Sequence, residues 1–289
     1  YKYIADSLGI SDSYCNALVL NYHIDEVHIK KYVSRPELEV RQFVQDIYKG
    51  DIISNTRTII PPKELDIYIP DRKVAIEING AYYHSVDKVG QNYHFNKSQE
   101  CENLGIRLIH IFDYEWENER QQPILKNIIK NALGINDSKI YARNTIIDVK
   151  PSKDLKPFFE QNNIQGFRGG KFAICLLDKN TKEILMSYIM GSCFFGKGKY
   201  QWEVIRGATK LGITVVGGAS KIWKYFINTY KPDNCVYYVD YNYFNGNSLP
   251  YLGLTYLTRQ PGFKNFWFDH WKTHEKNVVK NREPNHHKE

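Results

Sequence analysis

The chain has 289 residues, 42% hydrophobic, with a net charge of +7, enough for two domains with their own cores and a small appendage. No apolar run is long enough to span a bilayer and no signal peptide is evident, so no membrane partner is expected. The isolated cysteines Cys15, Cys101, Cys175, Cys193 and Cys235 lack C-x-x-C spacing, which excludes a zinc finger and points to a reducing, cytoplasmic compartment; the positive balance suits a polyanionic partner without identifying one.

Residues 1–33 read as two short helices around a tight turn. Ala5, then Gly9 four residues on, a buried Ile10 and an N-capping Ser11 resemble the helix-turn-helix signature, in which the glycine takes the turn and the small alanine lets the helices approach. The second helix would present Ser13, Tyr14, Asn16 and Asn21 to a DNA groove; an ordinary helical hairpin is the bland alternative. The chain begins in what reads as the middle of a motif, so further N-terminal sequence is expected.

Residues 34–135 run helix, strand, hairpin, helix, strand, helix. Ser34 caps a helix with Pro36 in its first turn and Val40, Phe43, Val44 and Ile47 as its buried stripe. A strand over 52–60 follows, ending at Pro61-Pro62, and then a hairpin in ELDIYIPDRKVAIEIN. Leu65, Ile67, Ile69 and Val74, Ile76, Ile78 alternate with other residues, the period-2 pattern of strands buried on one side. With Asp71-Arg72 as the turn, Ile67 meets Ile76 and Asp66 meets Glu77. Like charges opposed across strands are destabilising, so this pairing points to a divalent cation held between them. A helix over 94–104 stopped by Gly105, a buried strand over 107–112 and a helix over 115–133 ended by Gly134 complete the unit.

Glu37 is the best third acidic ligand, since helical projection puts it within the stripe that packs on the sheet, whereas Glu39 projects to its edge. Ser34-x-x-Glu37 is also a capping box, which keeps both roles open. His94, Lys97, Cys101 and Leu104 share one helix face; burial of Cys101 and Leu104 against the sheet would turn His94 and Lys97 toward the carboxylates. Gly80 after the second strand lets backbone or phosphate come close, and Asn79 joins Ser13, Tyr14 and Asn16 as a candidate DNA contact.

Residues 136–289 read as a separate α/β unit. Strands over 172–177 and 184–190 form a hairpin through Asp178-Lys179-Asn180-Thr181. The turn Gly217, Gly218, Ala219, Ser220 opens a helix over 221–229 and forms a candidate phosphate cradle. A strand over 236–240 follows, and Arg206 and Asp240 either line a site or are satisfied core groups. The tail from His274 is polar and expected to be loose.

The fold class expected is α/β (α+β). The α-β-β-β-α-β order with a carboxylate-bearing hairpin is similar to the PD-(D/E)XK nuclease fold, and within it to very-short-patch-repair endonucleases and phage homing endonucleases of the EDxHD type. The resemblance rests on Ser34-x-x-Glu37, Glu64-Leu65-Asp66-Ile67-Tyr68-Ile69-Pro70, Glu77-Ile78-Asn79-Gly80 with His84, Tyr93-His94 with Lys97, and Ile109-His110-Ile111-Phe112 leading to Glu115-Trp116. Asn79 stands where the E-x-K lysine would be, with Lys97 replacing it from the helix; the repair-endonuclease histidine maps onto His84 and its helix aspartate onto His94. The resemblance implies hydrolysis of phosphodiester bonds in double-stranded DNA, in a bacterial or phage-infected cell. Mg²⁺ or Mn²⁺ would be held by Asp66, Glu77 and Glu37, with His84 or His94 as general base or leaving-group acid and Lys97 stabilising the transition state.

The C-terminal pattern of Trp202-Glu203-Val204-Ile205-Arg206, the Gly-Gly-Ala-Ser-Lys helix, the strand ending at Asp240, Asn245-Gly246-Asn247, Tyr251-Leu252-Gly253-Leu254 and Phe266-Trp267-Phe268 resembles the GNAT-like domains of phage proteins, including the Mom DNA-modification type. That resemblance implies an acyl-CoA-like ligand at Gly217–Ser220, although Thr214 replaces the usual Gln or Arg of its pyrophosphate loop. Two other readings remain: a DNA base modifier whose C-terminal domain is catalytic, and a non-catalytic DNA-binding protein.

Overall fold

The computed structural model describes residues 9–11, 13–14, 17–18, 34–80, 93–136, 138–194 and 198–258, together with the paired strands Asn265–Phe268 and Trp271–His274. The chain divides into two compact units, Tyr1–Val40 and Arg41–Glu289, and the architecture is α+β.

In the first unit Gly9 adopts φ +65°, the left-handed turn conformation that glycine supplies without strain. Ser11 Oγ then accepts the Tyr14 amide at 3.2 Å, an N-terminal helix cap. The first part of helix α1 (Arg35–Ile47) also lies here. Ser34 Oγ accepts the Glu37 amide at 3.3 Å, and Arg35 pairs with Glu39 at 2.7 Å on the surface.

The second unit contains two main sheets. The first has the order β1 (Ile53–Ile60), β2 (Lys63–Ile69), β3 (Val74–Asn79), β4 (Arg107–Phe112). β1, β2 and β3 are antiparallel and β4 runs parallel to β3. A parallel return needs a crossover, supplied by helix α2 (Tyr93–Asn103). Its end is a Schellman motif: Gly105 at φ +71°, with the Ile106 and Gly105 amides bonded to the Cys101 and Glu102 carbonyls at 2.9 and 2.8 Å. Every residue of β3 is buried, so both faces of the sheet are covered. One carries Ile67, Ile69, Val74, Ile76, Ile78, Ile109 and Ile111; on the other, Tyr68, Ala75 and Leu108 pack with Cys101 of α2.

Three local expectations need correction. The hairpin turn is a 3-10 turn over Pro70–Arg72 closed by left-handed Lys73, longer than two residues, and it leaves the pairing register unchanged. The helix expected over 115–133 is two, α3 (Asp113–Trp116) and α4 (Gln121–Leu133). Asn118 Oδ1 accepts the amides of Arg120 and Gln121 at 3.0 and 3.1 Å, and this local side-chain bonding interrupts the helix. Leu104 is 50% exposed in the turn after α2 instead of lying on the sheet.

The second sheet has the order β11-β9-β8-β7-β6, with β6 (Thr145–Lys150), β7 (Phe172–Asp178), β8 (Ile184–Gly191) and β9 (Trp202–Thr209) antiparallel and β11 (Cys235–Tyr237) parallel to β9. The β7–β8 turn is held by Asp178, whose Oδ1 accepts the amides of Asn180 and Thr181. β5 (Ser138–Tyr141) and β10 (Ile213–Val216) make a separate parallel pair. The continuous apolar run of β7 is explained by burial on both sides: Ile174 and Leu176 pack with Ile222 and Phe226 of helix α6 (Gly218–Tyr230), while Ala173, Cys175 and Leu177 pack with Phe159 of helix α5 (Lys156–Asn162). The last strand stops at Tyr237, short of the expected Asp240.

The expected boundary at 135/136 separates these sheets but does not separate compact units. Asn242 and Tyr243 carbonyls accept the His110 amide and Arg107 Nη2 at 2.8 and 2.7 Å, and the Tyr243 hydroxyl donates to Glu115. Arg120 reaches the carbonyls of Glu160, Asn163 and Ile164. The loop after β11 is therefore fastened to β4.

Candidate active site

The β2–β3 register pairs Ile67 with Ile76, Tyr68 with Ala75 and Ile69 with Val74. One step further along the same alternation stand Asp66 and Glu77, on the face covered by α2. Asp66 Oδ2 accepts the Ile78 amide at 2.8 Å, which fixes its carboxylate against β3. Glu77 lies within reach of both the Asp66 charge and the Asp66 amide and is only 4% exposed.

Lys97 enters from α2, itself 1% exposed, and donates from Nζ to Glu77 Oε1. The other carboxylate oxygen, Glu77 Oε2, is buried with no hydrogen-bond partner among the described residues. Burial, and then the Asp66 charge, push the Glu77 carboxyl up to about 8 despite the opposing effect of Lys97. One lysine does not offset burial and a neighbouring carboxylate together.

β4 completes the face. Its parallel register sets His110 beside Glu77 and Phe112 beside Asn79. His110 is 1% exposed and held at both ring nitrogens, by Asn79 Nδ2 to Nδ1 at 3.3 Å and by Ser98 Oγ to Nε2 at 2.8 Å. The His94 ring stands edge-on to His110 and Phe112, with centroids 5.2 and 5.9 Å apart. The face is thus divided along the strands. Ala75, Leu108 and Cys101 form its apolar half, and Glu77, Asn79, His110, His94, Lys97 and Ser98 its polar half.

The structure brings together five of the residues singled out from sequence: Asp66, Glu77, Lys97 and, through His110, Asn79 and His94. His84 lies outside the described residues, as does Asn16; Ser13 and Tyr14 are exposed on their helix. Glu37 belongs to the first compact unit, where its amide is capped by Ser34. Among the described residues no group of three or more His, Cys, Asp or Glu side chains is assembled to hold a metal ion. Asn79 is fully buried and bonded to His110, so it orients a ring inside the protein and does not face a groove.

Sequence reasoning quotes His110 within the Ile109–Phe112 motif but gives it no place at the site. It stands out there as a lone polar residue inside the run Leu108 to Phe112; the parallel offset that places it beside Glu77 is not written in the local sequence. Glu115 is missed as a buried acid: it accepts the Phe112 amide at 3.1 Å and the Tyr243 hydroxyl, and burial pushes its carboxyl up to about 7.

The glycine turn at Gly217, Gly218, Ala219 and Ser220 has a packing explanation. Gly217 is left-handed at φ +76°, and a Cβ on Gly218 would lie 2.7 Å from Met186 Sδ and 2.8 Å from Val215 Cγ1. Both glycines are required by the fold whether or not an anion binds. Lys221, one turn on, donates to the carbonyls of Ala142 and Thr145 at 2.8 and 2.5 Å.

Comparison with protein-family models, with curated proteins and with solved structures finds no significant match. No helix among the described residues is long and apolar enough to cross a membrane.

Proposed function

We propose that this chain is a metal-dependent endonuclease that hydrolyses phosphodiester bonds in double-stranded DNA, working in the cytoplasm of a bacterial or phage-infected cell. The observation that carries the reading is Glu77: a buried carboxylate beside a second one, with Oε2 unpartnered among the described residues. A hard divalent cation fits this donor set, since Mg²⁺ and Mn²⁺ prefer carboxylate oxygens and Mg²⁺ keeps several waters, so that two protein carboxylates can suffice. The order α1-β1-β2-β3-α2-β4, with β4 parallel to β3, supports the PD-(D/E)XK reading of repair or homing type. The left-handed Gly9 and the Ser11 cap support the helix-turn-helix reading of the N-terminal segment, and the β9-α6-β11 crossover supports a GNAT-like accessory domain.

Asp66 and Glu77 would hold the cation, which when bound polarises a phosphoryl oxygen and acidifies the attacking water. Lys97 supplies a fixed positive charge beside Glu77 for the charge that builds on the phosphoryl group. His94 is the proton-transfer candidate among the described residues, and His110, locked by Asn79 and Ser98, positions its ring.

Supercoiled plasmid incubated with Mg²⁺ or Mn²⁺ is expected to be cut, with cutting abolished by EDTA and in Asp66→Ala and Glu77→Ala. Undiminished cutting by both variants would reject the proposal. Acyl-CoA-dependent mass gain on DNA without strand breaks would select the base-modifying alternative.

A further inference from the structure

β9 and β11 pair only from Trp202–Cys235 to Val204–Tyr237. Past that point β9 continues to Thr209 while the chain after β11 leaves strand conformation. The loop 163–170 closes this end: Asn163 Nδ2 donates to the Gly207 carbonyl at 3.0 Å, Gln165 Nε2 to Asp240 Oδ2 at 2.8 Å, and Arg206 Nε to the Gly166 carbonyl at 3.3 Å. The interior is filled by tyrosine, since a Cβ on Gly207 would lie 2.8 Å from the Tyr237 hydroxyl and 2.9 Å from the Tyr188 ring.

Where β8 ends and β9 begins, the surface shows a different chemistry. The Arg168 guanidinium lies 4.4 Å from the ring centroid of Phe194, and that ring is 57% exposed. Tyr238, 48% exposed, bonds to Cys193, the residue before Phe194, and interacts with Tyr200. Lys199 lies 5.3 Å from the Tyr200 ring. Arg206 lies close enough for Arg168 to repel it, but its guanidinium is turned to the carbonyls of Gly166 and Ile205. The nearby carboxylates already have partners: Glu203, 4% exposed, accepts the Phe194 amide at 2.8 Å, and the half-buried Asp240 accepts Gln165 Nε2 at 2.8 Å.

One exposed ring topped by a guanidinium, a second exposed ring beside it and a lysine close by, with the neighbouring acids buried or tied, match the pairing used to bind unpaired nucleotides, where bases stack on aromatic faces and phosphates meet the cations. We propose that this end of the second sheet is a platform for a single nucleic-acid strand, with bases on Phe194 and Tyr238 and phosphates at Arg168 and Lys199. The platform stands on its own geometry and does not need the cleavage reading at Asp66 and Glu77.

The test is fluorescence anisotropy of a labelled oligothymidylate of about fifteen nucleotides titrated with the full chain in EDTA, so that cleavage plays no part. Phe194→Ala and Tyr238→Ala are each expected to weaken binding roughly tenfold, and Phe194→Trp to preserve it. Arg168→Ala should reduce the slope of log affinity against log salt by about 0.7. Affinity within about twofold of wild type in a folded Phe194→Ala/Tyr238→Ala double variant overturns the platform. Photocrosslinking of a 5-bromouracil oligonucleotide to wild type gives a second readout free of any folding defect: adducts on the peptides carrying Phe194 or Tyr238 support it, and adducts confined elsewhere overturn it. Plasmid cleavage that depends on Glu77 while the platform variants bind oligonucleotide like wild type would separate failure here from failure of the nuclease reading.

Discussion

Replacing Glu77 with Gln is expected to stabilise the cation-free protein while abolishing cleavage. Without a divalent cation, the folded chain holds the Glu77 proton up to about pH 8, against an ordinary value of 4.5, because burial and Asp66 both disfavour the carboxylate. The unfolded chain has released that proton well before neutrality. For an acid raised in the folded state, the stability cost therefore grows as pH climbs from the ordinary to the raised value and is constant above it. Near neutrality the cost reaches about 3 kcal/mol at most, at 1.36 kcal/mol for each unit of displacement. Gln keeps the shape and an acceptor for Lys97 but has no proton to lose, so a gain of about 1–3 kcal/mol is expected near neutrality, seen as a rise of roughly 2–8 °C in melting temperature. Mg²⁺ should then raise the melting temperature of wild type, because it binds the folded state alone, and leave the variant unmoved. Thermal melts in EDTA and in Mg²⁺, run beside plasmid cleavage, read all three effects. A Glu77→Gln protein that melts below wild type in EDTA, or that gains as much from Mg²⁺, would refute the reasoning.

Further outcomes follow from the same geometry. Glu115 is raised to about 7, mainly by burial, so it should make stability fall as pH rises from about 4.5 toward 7; Glu115→Gln should flatten that slope in urea titrations, and an unchanged slope would show that Glu115 does not contribute. Tyr243→Phe removes the hydroxyl that donates to Glu115 and should cost about 1–3 kcal/mol, the usual cost of leaving a buried acceptor without its donor, measured by chemical denaturation. Ser98→Ala removes the hydroxyl bonded to His110 Nε2; cleavage should fall with a shifted pH profile, while denaturation shows a loss of about 1 kcal/mol. Gly218→Ala drives a methyl group into Met186 and Val215 and should destabilise by about 1–3 kcal/mol through overpacking alone, a change that calorimetry without any ligand would detect.

Much of the first sheet is legible because its signals are local. Alternation in residues 65–78 sets which side chains share a face, and the short turn sets the register, so the neighbourhood of Asp66 and Glu77 follows from spacing within one hairpin. Gly105 and Gly134 mark helix ends for the same reason: a left-handed residue after the last turn is a property of a few consecutive residues. Reading Glu115 to Leu133 as one helix fails because the Asn118 side chain captures two amides that periodicity assigns to the helix. Leu104 is misplaced when helical projection is carried past the point where the helix ends.

By itself, then, the sequence determined the element order from α1 to β4, the shared face of the two acidic residues and the direction in which Lys97 points, all consequences of periods of two and 3.6 residues. Only the tertiary structure decided that His110 lies beside Glu77, that Asn79 is buried behind it and that Tyr243 closes on Glu115. Those contacts join positions 31 and 128 residues apart. Their offsets are set by how a crossover helix and a distant loop pack on β4, a choice made by burial of the whole assembly, with no mark in the spacing of neighbouring residues.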